Sequence, residues 1–379
     1  MRIIKLNNKL YKHNNNNNII MDIVLGNVQH DKPILAFYMG YSVSFNGKNY
    51  HERDAFGSEI TIIHLAEALA SKYKIYVFGN CTNEDEIVHN DVTYISMWRL
   101  NSFTNIDIMV VVRYMNYFLY FNHTAKKTFI MVTDSIINPS FKGDLLPNHG
   151  QHIIHNVRNS IDGIVCLSDW HKDNLNIIYK IPDVTYHIIP NPILTHLYKP
   201  DVPIIPGRFI YMQDPSRGFE LLLDCLLYIQ KTCPEISLVA FRKKEFTKAM
   251  NDKLSRLKNV TLLDKESQET ISKYCLEAEY FFYPSNVVET FCCCAAEAQL
   301  YKTVCIYNAM GGLLTTIGDR GLALPYDFKD PAYVVQASQS IINLMKNDIK
   351  KQDFINRGHK WAKKLKPNIV KKKWIKLFS

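Results

Sequence analysis

Residues 279–299 read "EYFFYPSNVVETFCCCAAEAQ". Glu279 is followed by four aromatic residues, Tyr280 to Tyr283, as a buried strand requires. Pro284 and Ser285 then break the pattern. From Glu289 the composition turns to small and helix-compatible residues, with a second carboxylate at Glu297 and seven uncharged residues between the two. If the helix opens at Glu289, eight residues at ~1.5 Å rise and about 100° per residue set the two acids roughly 12 Å apart, in one quadrant of its surface. A helix face exposed to solvent has no reason to be so apolar between its charges. Two acceptors at that separation suit the two ends of an elongated, hydroxyl-rich ligand. The N–H groups of Phe291 and Cys292 and the positive end of the dipole suit a phosphate between them. A nucleotide sugar has that order of parts.

Outward from this stretch the chain repeats one theme. "PILAFYM", "KIYVFGN", "IDIMVVVRY", "KKTFIMVTD" and "DGIVCLS" are continuous apolar runs, as expected for parallel strands covered on both faces. Between the first two lies "FGSEITIIHLAEALASKY", apolar at helical spacing and entered through Gly57, so strand, helix and strand make a βαβ unit. Five of the fifteen prolines then crowd between Pro190 and Pro206, a connector rather than core. A second series follows: "RFIYMQ", a helix in "SRGFELLLDCLLYIQKTCP" capped by Ser216, "ISLVAF", "NVTLLD", "QETISKYCLEA", the opening stretch, "KTVCIYN", "GLALPY" and a long helix in "PAYVVQASQSIINLMKN". The reading is α/β: two Rossmann-like doubly wound domains facing across a cleft, with ligands at the carboxyl ends of the strands. Residues 1–20 are expected to be a disordered Asn-rich tail, 21–196 a first domain, 197–355 a second, and 356–379 C-terminal helices.

Composition narrows the function classes. The 379 residues are 47% hydrophobic, and no run of about 18 apolar residues or signal-peptide core is present. The nine cysteines contain no Cys-x-x-Cys pair, and three are adjacent at 292–294, which suits neither a disulfide framework nor a metal site. A reduced, cytoplasmic setting is expected. The net charge of +9 favours anionic partners. Much of it lies in the final "KWAKKLKPNIVKKKWIKLFS", read as a solvated basic helix, with peripheral contact at a membrane surface as the sharper alternative. Nucleic acid is not expected as a partner, because the aromatics sit in strand-like runs rather than among the basic residues.

The ordered set of pieces resembles retaining GT-B glycosyltransferases of the Glu-x7-Glu type, the family 4-like group. The likeness is carried by "EYFFYPSNVVETFCCCAAEAQLYKTVCI", "FGSEITIIHLAEALASKYKIYVFGN", "VCLSDWHKDNL", "IIPNPI" and "SRGFELLLDCL", over about residues 35 to 325. The resemblance implies a hexosyltransferase-like enzyme that moves a sugar from a nucleotide diphosphate sugar to a glycan, lipid or protein hydroxyl with retention of configuration. It also implies that the first domain takes the acceptor and the second the nucleotide sugar donor, that the helices over 356–379 cross back to the first domain, and that no metal or other cofactor is needed. Under it, Glu297 holds the donor ribose, Glu289 the donor sugar, and the N–H groups of Phe291 and Cys292 lie beside the phosphates. Arg217, next to Ser216, neutralises the leaving diphosphate. Gly57 allows close backbone approach, and Asp134 is the candidate near the acceptor. His64 and His171 read as packing or surface residues. Gln213 departs from the pattern, which places a cation there; Arg242, Lys243 or Lys244 are the candidates to replace it. The lack of any Asp-x-Asp fits chemistry without a metal. A catalytically silent nucleotide-sugar-binding protein is the alternative that Gln213 invites.

Overall fold

The structure is a computed structural model that describes residues 3–6, 9–12, 32–50, 57–80, 86–121, 125–137, 147–242, 244–264 and 266–379. It opens on a hairpin, in which β1 (Ile3–Leu6) and β2 (Lys9–Lys12) pair antiparallel with Leu6 opposite Lys9. Disorder was the expectation for 1–20. The β-forming Ile3, Ile4 and Tyr11 outweigh the neighbouring low complexity in these two strands, while the tract Asn14 to Asn18 lies outside the described residues.

The first sheet is built from β3 (Ile34–Tyr38), then α1 (Gly57–Leu69), β4 (Lys74–Gly79), β5 (Ile87–His89), β6 (Val92–Ser96), β7 (Ile108–Val112), α2 (Tyr117–Tyr120), β8 (Lys127–Met131), α3 (Pro147–Val157), β9 (Gly163–Cys166), α4 (Asp169–Tyr179) and β10 (Tyr186–Ile188). Strand order is β10-β9-β8-β7-β3-β4-β6-β5, and all neighbours are parallel except β5 and β6. The residues of β3 and β7 are buried throughout, which explains their unbroken apolar sequence. β5 and β6 form a hairpin at the edge of the sheet. Asn90 and Asp91 both take positive φ, 46° and 60°, and so supply the two left-handed positions of a tight hairpin turn.

The second sheet comprises β11 (Ile205–Tyr211), α5 (Phe219–Ile229), β12 (Ser237–Phe241), α6 (Lys248–Leu254), β13 (Val260–Leu263), α7 (Gln268–Glu277), β14 (Ala278–Tyr283), α8 (Cys293–Leu300), β15 (Val304–Asn308), α9 (Leu313–Thr316), β16 (Leu322–Leu324) and α10 (Tyr333–Met345). Its order is β13-β12-β11-β14-β15-β16, parallel throughout. Both sheets therefore present the carboxyl ends of parallel strands.

Two helices close the chain, α11 (Asp348–Ala362) and α12 (Pro367–Phe378). The first packs on α8: Gly358 meets Gln299, and the His359 Nδ1 lies 2.7 Å from the Leu300 carbonyl. The second returns to the first domain and packs on α1. Its Val370, Trp374 and Phe378 recur every four residues and are buried. The Phe378 ring lies 5.8 Å from Tyr73 and 5.7 Å from Phe129, and the Lys127 ammonium donates to the Phe378 carbonyl at 2.8 Å. With its apolar stripe buried, this helix exposes mainly Lys372, Lys373 and Lys376, with Ile369 40% exposed beside them. Among the described residues no helix is long and apolar enough to cross a membrane.

Candidate functional site

The turn after β11 is set by one carboxylate. The Asp214 Oδ1 accepts from the Ser216 amide at 3.0 Å and the Ser216 hydroxyl at 2.7 Å, while Oδ2 pairs with the Lys244 ammonium at 2.6 Å. Burial opposes the Asp214 charge, but Lys244 and Ser216 together outweigh it and hold the carboxyl at about 2. The Tyr211 hydroxyl donates to the carbonyls of Asp214 and Arg217, at 3.0 and 3.1 Å, and braces the turn from the strand end.

Ser216 does not cap the following helix, contrary to expectation. Its hydroxyl is taken by Asp214, and the N-cap is Gly218 at φ 96°. A Cβ at Gly218 would stand 2.0 Å from the Pro284 carbonyl oxygen, so the turn can abut the end of β14 only through a glycine.

That contact carries Arg217 to Glu289. The Arg217 Nη1 lies 2.8 Å from the Glu289 Oε1, and the Tyr283 hydroxyl donates to the same oxygen at 2.6 Å. Glu289 is 13% exposed and turned inward, whereas Arg217 is 45% exposed and open to the cleft. Burial works against the Arg217 charge, but the Glu289 carboxylate more than offsets it and raises the guanidinium above its ordinary range. The Tyr283 phenol is pushed far up by burial and then by Glu289, so it stays a donor.

Glu289 is not on the helix, which corrects the spacing argument. The helix α8 begins at Cys293, and Cys292 is its N-cap in the left-handed region, φ 71° and ψ 85°. Residues 289–292 are loop, held from the α9 side: the Gly312 amide donates to the Glu289 carbonyl at 2.6 Å and the Thr316 hydroxyl to that of Phe291. A Cβ at Gly312 would reach 2.3 Å from the Thr290 carbonyl oxygen, so the loop rests on bare backbone. The Phe291 ring is buried, 6.4 Å from Trp361, so only its backbone is available to a ligand. Glu297 sits on the second turn of α8, half-buried, and with burial helps drive the Cys293 thiol up to about 12. Burial also holds the Cys292 thiol well above its ordinary value, so Cys292 and Cys293 are protonated packing groups beside the site.

Gln213 donates from its Nε2 to the Cys292 sulfur at 3.4 Å. Of the candidates to replace its expected charge, Lys244 reaches the turn through Asp214, while Arg242 pairs with Asp264 and Lys243 lies outside the described residues.

The first domain meets this loop directly. The Thr290 hydroxyl donates to the Thr133 carbonyl at 2.8 Å, and the Ser168 hydroxyl donates to the Thr290 carbonyl at 2.7 Å. Asp134, next to Thr133, is thus brought beside the residue that follows Glu289. Its carboxylate pairs with the Arg113 Nε at 2.8 Å. Burial opposes the charge on Arg113, and Asp134 overcomes it, leaving that pKa raised.

His171 is fully buried with both ring nitrogens engaged. The Leu167 amide donates to Nδ1 at 3.2 Å, so Nε2 carries the proton and donates to the Asp134 carbonyl at 2.9 Å. Burial lowers its pKa to about 4. It packs, as expected, and it also fixes the Asp134 backbone. Gly57 opens α1 exposed, and a Cβ there meets nothing within 4 Å, so packing within the chain does not require glycine at this position.

Sequence reasoning missed Tyr283, Thr290 and the pair Gly311-Gly312. Tyr283 ends a parallel strand, where ligands gather, and two adjacent glycines after an apolar strand are a turn signal. Thr290 carried no signal.

Residues 209–361 match the family model of glycosyl transferases group 1. No curated protein is significantly similar in sequence. Among solved structures the chain is similar to sucrose-phosphate synthase of Thermosynechococcus elongatus, with a TM-score of 0.69 and 15% identity over 92% of this chain and 98% of that one. It is similar also to a glycosyltransferase of Rickettsia africae, at 0.67 and 13% over 92% and 98%. A third is Alr3699/HepE of Anabaena, solved with UDP, at 0.66 and 12% over 91% and 98%. The fold is GT-B. Together with the family match over the second domain, it supports a sugar-transferring enzyme.

Proposed function

We propose that this protein transfers a sugar from a nucleotide diphosphate sugar to a hydroxyl acceptor, with retention of configuration and without a metal. The observation that carries the reading is the Arg217–Glu289–Tyr283 cluster at the carboxyl ends of β11 and β14, inside the matched segment. The bond from the anomeric carbon to the diphosphate breaks with its electron pair going to the diphosphate. The acceptor oxygen forms the new bond, and its proton passes to the departing diphosphate. Arg217 turns from Glu289 to the leaving phosphates, where a fixed cation stabilises the charge that develops. Glu289 accepts from the donor sugar's hydroxyls and Glu297 from the ribose. Cys292 and Phe291 offer backbone amides, and Gly57 leaves room opposite them. Asp134 accepts from the acceptor hydroxyl. Among the described residues no three His, Cys, Asp or Glu are arranged to hold a cation. In this reading Arg217 does the electrostatic work.

The test is nucleoside diphosphate release from a panel of UDP- and GDP-sugars, with and without glycan acceptors and with EDTA present. Turnover that resists the chelator, and a product of the donor's own anomeric configuration, are the expected results. Glu289→Gln and Arg217→Ala should each lower kcat by about a hundredfold or more while melting within a few degrees of the parent. Unchanged turnover in both variants ends the assignment. The second reading, a silent nucleotide-sugar-binding protein, is favoured by Gln213, whose amide faces a sulfur where a cation was expected. Calorimetric binding of a nucleotide sugar with no turnover on any acceptor selects that reading.

A further inference from the structure

Farther along the helix that Gly57 opens lies a separate cavity of about 470 Å³, within the size range of small-molecule sites, roughly 300–1,000 Å³. Gly57, Thr61, His64 and Ala68 follow one another at three- and four-residue spacing, so the cavity continues the same face of α1, beyond the site. Glu67 is its polar centre. The Glu67 Oε1 accepts from the Asn90 side-chain amide at 3.0 Å, and the His64 Nδ1 and His89 Nε2 each stand 3.9 Å from one of its oxygens. Tyr50 meets His64 edge to face, with ring centroids 5.7 Å apart. The opposite wall belongs to the joint between the domains: His196 and Leu194 come from the proline-rich connector, and Asn368 from the first turn of α12. These two segments are tied together behind the cavity, where the Ile193 amide donates to the Leu365 carbonyl at 3.1 Å.

The lining decides the chemistry of the ligand. A carboxylate at the centre repels an anion. The remaining polar groups, three imidazoles and two side-chain amides, are directional donors and acceptors, and Tyr50 and Leu194 add apolar surface. A ring with several hydroxyls and a C–H face satisfies both halves of that lining. We propose that this cavity binds a saccharide of one or two rings, Glu67 accepting from neighbouring hydroxyls and Tyr50 lying against the ring. Occupancy braces the connector against α1 and α12, and so stiffens the joint about which the two domains turn. The site is distinct from the nucleotide-sugar cleft, and its test requires no turnover.

The full chain, labelled in its histidine imidazoles, is titrated at constant pH with glucose, galactose, N-acetylglucosamine and maltose into the millimolar range. One of these sugars should move the resonances of His64, His89 and His196 saturably and leave buried His171 still. Glu67→Gln, which keeps shape and removes charge, should weaken binding roughly tenfold or more. Ala68→Leu, which fills the wall without a helix penalty, should weaken it as well and keeps the question open to test if the first variant is unstable. Saturating UDP should leave the titration unchanged. The proposal is overturned if no sugar moves the three resonances, if both variants bind as the parent does, or if UDP displaces the sugar, which assigns it to the cleft. Saturable shifts with inorganic phosphate alone would make this an anion site and overturn it equally.

Discussion

At the scale of single residues, the candidate site depends on backbone positions that only certain side chains tolerate. Gly218 combines a left-handed φ with a Cβ position 2.0 Å from the Pro284 oxygen, and that neighbour is backbone and cannot swing aside. Gly218→Ala should therefore cost about 3 kcal/mol or more, and thermal denaturation checks it. A loss under 1 kcal/mol shows that the turn can lift away from β14. His171 gives a prediction in pH. Its folded pKa, about 4, lies below the ordinary 6.5, so the unfolded chain binds the extra proton between those values. Stability is thus full above about pH 6.5 and falls as the pH drops toward 4. Between pH 7 and pH 5 the parent should lose about 2 kcal/mol more than His171→Asn in urea titrations. Parallel losses in the two proteins would contradict a buried, neutral imidazole.

At the scale of elements, the strands were legible because both faces of each parallel sheet are covered. Burial on two sides leaves an unbroken apolar run, as in β3 and β7. The start of α8 was not legible. Composition from Glu289 onward suits a helix, but the Cys292 backbone turns left-handed and delays it to Cys293. That turn is imposed by backbone contacts from Gly312 and Thr316, which are distant in sequence. The hairpin of β5 and β6 was missed, although Asn90-Asp91 is composed for a tight turn. The crossing helix α12 was foreseen as basic, yet what holds it is its apolar stripe. Trp374, 1% exposed, is the largest member of that stripe. Trp374→Ala should cost about 3 to 5 kcal/mol by loss of burial and creation of a cavity. Differential scanning calorimetry measures it, and a loss below about 1 kcal/mol shows that α12 is only loosely docked on α1.

At the scale of the whole molecule, the two domains meet through the loop that holds Glu289. The sequence held no sign of this, since Thr290 and Thr133 are 157 positions apart and neither belongs to a periodic pattern. Each domain contributes a charged pair, Arg217–Glu289 from the second and Arg113–Asp134 from the first, and the Thr290 hydroxyl joins the residues adjacent to them. For the domains to open, this contact must break, so it ties closure to the registry of the two pairs. Thr290→Val keeps shape and β-branching but removes the donor, leaving the Ser168 bond to the Thr290 carbonyl in place. One hydrogen bond contributes about 0.5–1.5 kcal/mol, so the closed arrangement should lose roughly two- to tenfold in population. Because the groups proposed to hold the donor, Gly57 apart, lie in the second domain, nucleotide binding should be unchanged while kcat falls by that factor. X-ray scattering of the ligand-free variant should give a larger radius of gyration than the parent. If instead nucleotide affinity falls and kcat holds, Thr290 serves the second domain alone, and the clasp is not what brings Asp134 to the donor loop.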